Sequence, residues 1–248
     1  ESPKEKTIKL TYGQLHDKVS SFANVLKKHG IKKGDVVSIY MPLIPEAAIA
    51  MLACTRIGAI HSVVFSAFSA DALKTRIEDG KAKILITADG YYRRGEEINL
   101  LKKGKKAQKG TTIQKVIVAN RIGKKKIGRK FLNFQEEMEK ADSYCSPELM
   151  NSEDILFLLY TSGTTGRPKG VIHDTGGYAV QTYWTSKWNF NLNENDVMWC
   201  TADIGWITGH TYAVYGPLLC GATTLLYEGA PDFPNPGRWR KIIQENKV

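Results

Sequence analysis

The stretch Val36–Thr87, VVSIYMPLIPEAAIAMLACTRIGAIHSVVFSAFSADALKTRIEDGKAKILIT, decides the fold class. Val36 to Met41 is a short apolar run stopped by Pro42, which predicts a strand. Pro45 to Ile57 is Ala-rich and apolar almost all round, the pattern of a buried helix ending at Gly58. Ile60 to Phe65 is strand-like again. Ser69 can cap a helix that runs to Glu78, with Asp71 in its first turn. Lys83 to Thr87 closes the series as a third strand. Strands separated by helices of this length pair in parallel, so the expected class is α/β, a mostly parallel sheet sandwiched by helices.

The surrounding sequence extends this pattern. Thr11 to His29 places Leu15, Val19, Phe22 and Leu26 on one helical face and stops at Gly30. Gly95 to Lys130 interrupts the order with a Lys-rich insert, read as exposed loops or a frayed helix around one strand at Val116–Val118. Asp154 to Tyr160 is a strongly apolar strand, followed by a Gly/Thr/Ser loop and then a helix from about Gly177 to Trp188. Further strands are expected at Val197–Thr201 and Ala222–Tyr227, with a helix at Gly209–Leu219 broken near Gly216-Pro217.

Composition narrows the function classes. The 248 residues carry 35 Lys plus Arg against 25 Asp plus Glu, a net charge of +10, and 42% are hydrophobic, enough for a sizeable core. Twelve of the basic residues and no acidic ones fall between Lys102 and Lys130, leaving the rest at −2. The positive charge is therefore one local segment, not a domain-wide nucleic-acid footprint. That segment has no interleaved aromatics on which bases could stack. Nucleic acid is not the expected partner. No apolar run reaches the length of a membrane span, and Glu1 to Lys6 offers no apolar signal region, so neither a membrane nor a secretory route is expected. Cys54, Cys145, Cys200 and Cys220 form no CxxC pair, which points to reduced thiols in the cytoplasm and to no structural metal.

The chemistry concentrates in Tyr160-Thr-Ser-Gly-Thr-Thr-Gly-Arg-Pro-Lys-Gly170. Glycines let backbone N–H groups approach an anion, hydroxyls add donors, and Lys169 with Arg167 supplies positive charge. Together they suit a polyphosphate. Arg167 and Pro168 separate Gly166 from Lys169, so this is not the Gly-Lys-Ser/Thr ending of a Walker A loop.

That loop resembles the signature of the adenylate-forming enzymes. Trp199-Cys-Thr-Ala-Asp-Ile-Gly-Trp-Ile-Thr-Gly-His210, then Tyr215-Gly-Pro-Leu and Gly221-Ala-Thr-Thr, is similar to the AMP-forming acetyl-CoA and propionyl-CoA synthetases, as are Cys54 to Phe65 and Thr87-Ala-Asp89. The resemblance implies ATP-dependent activation of a short-chain carboxylate to acyl-adenylate and then acyl-CoA, with ATP, Mg2+ and coenzyme A as ligands. It implies that Thr161, Ser162, Gly163, Thr164, Thr165, Gly166 and Lys169 hold the phosphates, with Thr161 and Lys169 acting in catalysis. Trp206 and Ile207 would border the acyl pocket. Arg93, Arg94, Gly95, Glu96 and Thr208 would meet coenzyme A.

Two departures weaken the coenzyme A assignment: Glu96 replaces a second Arg, and Ala67 brings an extra Cβ where the family has Gly. By the same resemblance residues 1–248 are part of the N-terminal adenylation domain, without the mobile C-terminal domain. The missing remainder of the chain is then a required partner, and the fragment is expected to be inactive alone. The alternative is a non-catalytic nucleotide-binding or interaction module that keeps the loop.

Other side chains have a plainer expectation. His61, His173 and His210 have apolar or Gly neighbours and read as hydrogen-bonded structural histidines, His210 being the nearest to the pocket segment. Tyr178, Tyr183, Trp184 and Trp188 read as helical packing. Asp203 either orients a substrate group or satisfies backbone donors.

Overall fold

The computed structural model describes residues 7–123, 127–128, 130–161 and 168–248. In chain order the elements are α1 (Tyr12–Lys28), β1 (Val36–Tyr40), α2 (Pro45–Arg56), β2 (Ile60–Val63), α3 (Ala70–Gly80), β3 (Ile84–Ala88), β4 (Tyr91–Arg93), β5 (Glu96–Ile98), α4 (Leu100–Ala107), β6 (Lys115–Ala119), β7 (Leu132–Asn133), α5 (Phe134–Glu139), β8 (Ile155–Thr161), β9 (Lys169–Asp174), α6 (Thr175–Phe190), β10 (Val197–Met198), α7 (Ile207–Gly209), a π-helical turn (His210–Tyr215), α8 (Gly216–Leu219), β11 (Thr223–Thr224) and α9 (Gly237–Asn246).

Local chemistry explains the ends. Thr11 Oγ1 accepts from the N–H of Gln14 at 3.2 Å while Gln14 Oε1 accepts from the N–H of Thr11 at 2.9 Å, a reciprocal capping box on α1. Ser69 caps α3 by accepting from the Ala72 N–H at 3.1 Å.

Seven strands form one sheet in the order β7-β6-β3-β1-β2-β8-β9, every neighbour parallel except the β8–β9 pair. Val37 of β1 registers with His61 of β2 and Ile84 of β3, so the three strands read first in the sequence form the sheet's centre. Parallel crossovers are right-handed, and the chain steps from β1 one way to β2, then back past β1 to β3 and on to β6. The reversal sends α2 to one face and α3 and α4 to the other. The packing agrees: α1 lies on α2 and α5, and α4 on α3. One continuous core fills the layers, with Phe22, Tyr40, Met51, Leu73, Leu85 and Phe157 fully buried.

Four expectations change. The loop after β8 leads not into a helix but into β9, whose Lys-Gly-Val-Ile-His-Asp sequence lies on the exposed edge and lacks the apolar signature of a core strand. The first Lys-rich flank is not frayed: α4 turns Leu100, Leu101, Gly104 and Ala107 inward and its lysines outward, and β6 is a full member of the sheet. The single helix expected at 209–219 is three short pieces, and the change from π-helical turn to α8 falls at Gly216-Pro217 as the sequence suggested, with Pro217 in the first turn of α8, where its missing N–H costs nothing. The late strands shrink to the two-residue pair β10–β11. Among the described residues no helix is long and apolar enough to cross a membrane.

Candidate functional site

In open α/β sheets ligands bind beyond the carboxyl ends of the strands, where the connections part in opposite directions. Here that point lies between β1 and β3. A cavity of about 310 Å³ opens there, lined by Pro42 and Leu43 after β1, Phe65 and Ser66 after β2, and Tyr91 and Arg93 after β3. Its opposite wall is the segment Trp199–Asp203 with Trp206, closed by Tyr227, Gly229 and Pro231. The walls are largely aromatic, with one cation, one carboxyl group and one thiol (Cys200) among them.

Arg93 reaches the cavity from a tight hairpin. Arg93 and Glu96 are directly opposed, leaving Arg94 (φ 51°) and Gly95 (φ 78°) as a two-residue turn that needs both left-handed. Glu96 is thus the cross-strand neighbour of Arg93, with opposite formal charge. Arg94 is engaged elsewhere, its Nη2 donating to Asp232 Oδ2 at 2.9 Å, which holds the Asp232 carboxyl below its ordinary range. A Cβ on Gly95 would meet the Phe233 ring at 3.1 Å. Of the four hairpin residues proposed from sequence, only Arg93 lines the cavity. Ala67 is exposed and lies outside the lining, where Ser66 stands instead.

The second wall is clamped by close backbone approach. A Cβ on Gly205 would lie 2.8 Å from the Phe65 backbone, and one on Gly209 would collide with the Asp203 carbonyl. Asp203 Oδ1 accepts from the Gly205 N–H at 2.7 Å. Burial pushes the Asp203 carboxyl up to about 6, against the pull of that N–H and of the Arg93 charge. Trp206 stands half-exposed at the cavity mouth, its ring 6.2 Å from Phe65. Ile207 and Thr208 are exposed and outside the lining, although Cys200 Sγ lies 3.7 Å from the Thr208 carbonyl.

Behind this wall the three histidines meet. His61 and His210 are fully buried and stack at 5.4 Å, and Phe157 stacks on His173 at 4.4 Å. His61 Nε2 is hydrogen-bonded to the Tyr215 hydroxyl at 2.6 Å, and Thr55 Oγ1 meets the same hydroxyl at 2.8 Å. Burial lowers all three histidines, His210 to about 4, so they stay neutral in the fold.

Thr161 and Lys169 are register partners where β8 ends and β9 begins, at the connected end of the hairpin, both exposed. Because β8 runs parallel to β2, that end lies at the same edge of the sheet as the cavity. Ser162, Gly163, Thr164, Thr165, Gly166 and Arg167 lie outside the described residues. Among the described residues no group of three or more His, Cys, Asp or Glu could hold a metal ion.

Sequence reasoning quoted Asp89 within the Thr87-Ala-Asp89 resemblance but gave it no role. Its buried carboxylate accepts from the N–H groups of Gly90, Arg121, Ile122 and Gly123 at 2.8–2.9 Å, tying the end of β3 to the loop after β6. An acidic residue at the carboxyl end of a buried strand, next to Gly90, was the available signal. Part of the Lys-rich segment is likewise committed to the body: Lys106 pairs with Asp71 at 3.1 Å, Lys103 Nζ donates to the Phe68 carbonyl at 3.3 Å, and Lys105 sits 4.9 Å over the Phe131 ring.

A mostly parallel sheet with a cavity at its switch point, and with Thr161 and Lys169 at the same edge, is the architecture of a nucleotide-handling α/β protein. The family model for AMP-binding enzymes matches residues 3–248, and the chain belongs to that family. It is 52% identical over 250 residues to an acetyl-coenzyme A synthetase of Psychromonas ingrahamii, covering 98% of this chain and 38% of that protein. An acetyl-coenzyme A synthetase of Methanothrix thermoacetophila is 51% identical over 250 residues, covering 99% of this chain and 38% of the relative. Among solved structures, acetoacetyl-CoA synthetase from Streptomyces lividans superposes with a TM-score of 0.92 at 28% identity, over 98% of this chain and 37% of that one. The chain thus spans somewhat over a third of the length of the relatives it matches.

Proposed function

We propose that residues 1–248 form part of the N-terminal domain of an enzyme that activates a short-chain carboxylate, acetate or propionate, with ATP and passes the acyl group to coenzyme A. In this reading a carboxylate oxygen attacks the α-phosphorus and pyrophosphate leaves. The coenzyme A thiol then attacks the acyl-adenylate carbonyl and AMP leaves. Both steps depend on positioning and charge stabilisation more than on a protein nucleophile.

The observation that carries the reading is the placement of Arg93, Trp206 and the Thr161–Lys169 hairpin end at one edge of the sheet. The whole-chain likeness to acetyl-coenzyme A synthetases supports it. Thr161 to Lys169 would hold the phosphates, the Arg93 guanidinium a phosphate of coenzyme A, and the Trp206 indole with Ile207 the alkyl group, where one methylene is worth about 1–3 kcal/mol. Arg94, paired with Asp232, and Glu96, opposed to Arg93, are weaker candidates for coenzyme A than Arg93. Mg2+ would neutralise charge on the nucleotide. The described residues supply no cage for it, and oxygen ligands from the phosphates themselves suit that ion. The remainder of a longer chain would complete the site, and a cytoplasmic location would supply ATP and coenzyme A.

The test is carboxylate-dependent exchange of labelled pyrophosphate into ATP by the protein carrying this chain. Exchange with acetate or propionate is expected, and none with any short acid overturns the reading. Lys169→Ala should lower exchange about 10- to 100-fold, the loss of one charge-assisted hydrogen bond. Lys169 is exposed, so the melting temperature should stay nearly unchanged.

A further inference from the structure

Trp206 has little to hold its side chain in place. The indole is 49% exposed, and Phe65 is its one aromatic neighbour among the described residues, at 6.2 Å and tilted. Its backbone is extended (φ −121°, ψ 153°) at the start of α7, without a side-chain cap. Its N–H donates to the Asp203 carbonyl at 3.1 Å, and its carbonyl is held by His210. The His210 N–H donates to the Trp206 carbonyl at 3.0 Å, and the ring Nδ1 lies 3.3 Å from the same oxygen. The ring is immobile in turn. It lies tilted against Phe157 at 4.7 Å and stacks on His61 at 5.4 Å, and His61 is anchored to the Tyr215 hydroxyl, which also meets Thr55 of α2.

The other ring nitrogen, Nε2, is buried without a hydrogen-bond partner among the described residues. An unpaired buried acceptor is a cost. For packing alone, a Phe at this position would stack as well and avoid it. What the imidazole adds is the Nδ1 bond to the Trp206 carbonyl.

We propose that His210 is a positioning residue: by holding the Trp206 carbonyl it sets where the indole stands at the cavity mouth, and so sets affinity for the short carboxylate. This rests on the reading of Trp206 as the wall of the acyl pocket.

The test uses the enzyme carrying this chain. His210→Phe keeps the stack and removes Nδ1, while His210→Asn places an amide nitrogen close to where Nδ1 stood. In the exchange assay, His210→Phe should raise KM for the carboxylate about three- to tenfold, the effect of one net hydrogen bond. KM for ATP and the melting temperature should hold, and His210→Asn should recover most of the loss. A second readout needs no turnover. With 5-fluorotryptophan incorporated, the resonance that disappears in Trp206→Phe should shift or broaden in His210→Phe and return in His210→Asn. An unchanged Trp206 resonance with an unchanged carboxylate KM overturns the proposal. So does a parallel rise in both KM values with a lowered melting temperature, the mark of a merely structural residue. If the unmodified enzyme shows no exchange, the functional reading falls, and the fluorine resonance still decides whether His210 positions Trp206.

Discussion

Asp203 shows how much one residue's chemistry depends on what surrounds it. As an amino acid it titrates near 3.8, and in the cavity wall burial lifts it to about 6. A raised carboxyl favours folding while both states are protonated, and that advantage is lost as pH climbs from the unfolded value through the folded one. Above pH 6 the fold therefore carries a buried charge that the unfolded chain solvates. Asp203→Asn keeps an acceptor for the Gly205 N–H without the charge. It should raise stability by about 1–3 kcal/mol at pH 7.5 and by almost nothing at pH 3.5, read from denaturation midpoints at the two pH values. Sequence reasoning marked Asp203 as either a substrate-orienting group or a backbone acceptor. Its hydrogen bond to Gly205, two residues on, is a local turn that Asp-Ile-Gly favours, but its place in the cavity wall arises from packing against the segment after β2 and the β4–β5 hairpin, which no local pattern encodes.

Between elements, close approach does the same work. The turn from Asp203 into α7 is tight enough that a Cβ on Gly209 collides with the Asp203 carbonyl, and backbone cannot yield there as a flexible side chain can. Gly209→Ala should cost about 1–3 kcal/mol, the range for overpacking, and should disturb Trp206 with it; thermal unfolding measures the first effect. The histidines of β2, β9 and the π-helical turn form the other contact between elements. All three are depressed by burial and neutral in the fold, so the unfolded chain binds protons that the native one refuses as pH falls below 6.5. Stability is full above that value and is lost between pH 6.5 and about 4, at up to ~1.4 kcal/mol per pH unit for each such proton. Asp203 acts with the opposite sign in the same window, so Asp203→Asn should steepen the acid loss. Denaturant titrations from pH 7 to pH 4 would show both slopes, and a flat profile would contradict the buried neutral histidines.

For the whole molecule, the sheet and the later segment that closes the cavity are joined by few strong links. Arg121, just past β6, makes a fork with the Glu228 carboxylate, its Nε at 3.0 and 3.1 Å from the two oxygens. Glu228 is only 5% exposed, and Asp89 gathers the same loop beneath the sheet's edge. Arg121→Ala should destabilise by about 1.5–3 kcal/mol, the loss of a charge-assisted hydrogen bond to a buried carboxylate, read from denaturation midpoints. Arg121 falls within the stretch read from sequence as a surface insert, and nothing in its immediate neighbours predicts a carboxylate 107 positions away.

The amino-acid sequence by itself determined the α/β class and the three central strands with their intervening helices, and it offered the Gly/Thr/Ser loop as the candidate phosphate site. Each rests on local periodicity, capping and residue chemistry, which act over a few residues. Only the tertiary structure decided that β9 flanks that loop, that Glu96 opposes Arg93, and that Arg93, Asp203 and Trp206 share one cavity. The first two follow from antiparallel hairpin pairing, and the shared cavity from the handedness of the crossovers and the reversal of strand order, which bring distant segments to the carboxyl ends of β1 and β3.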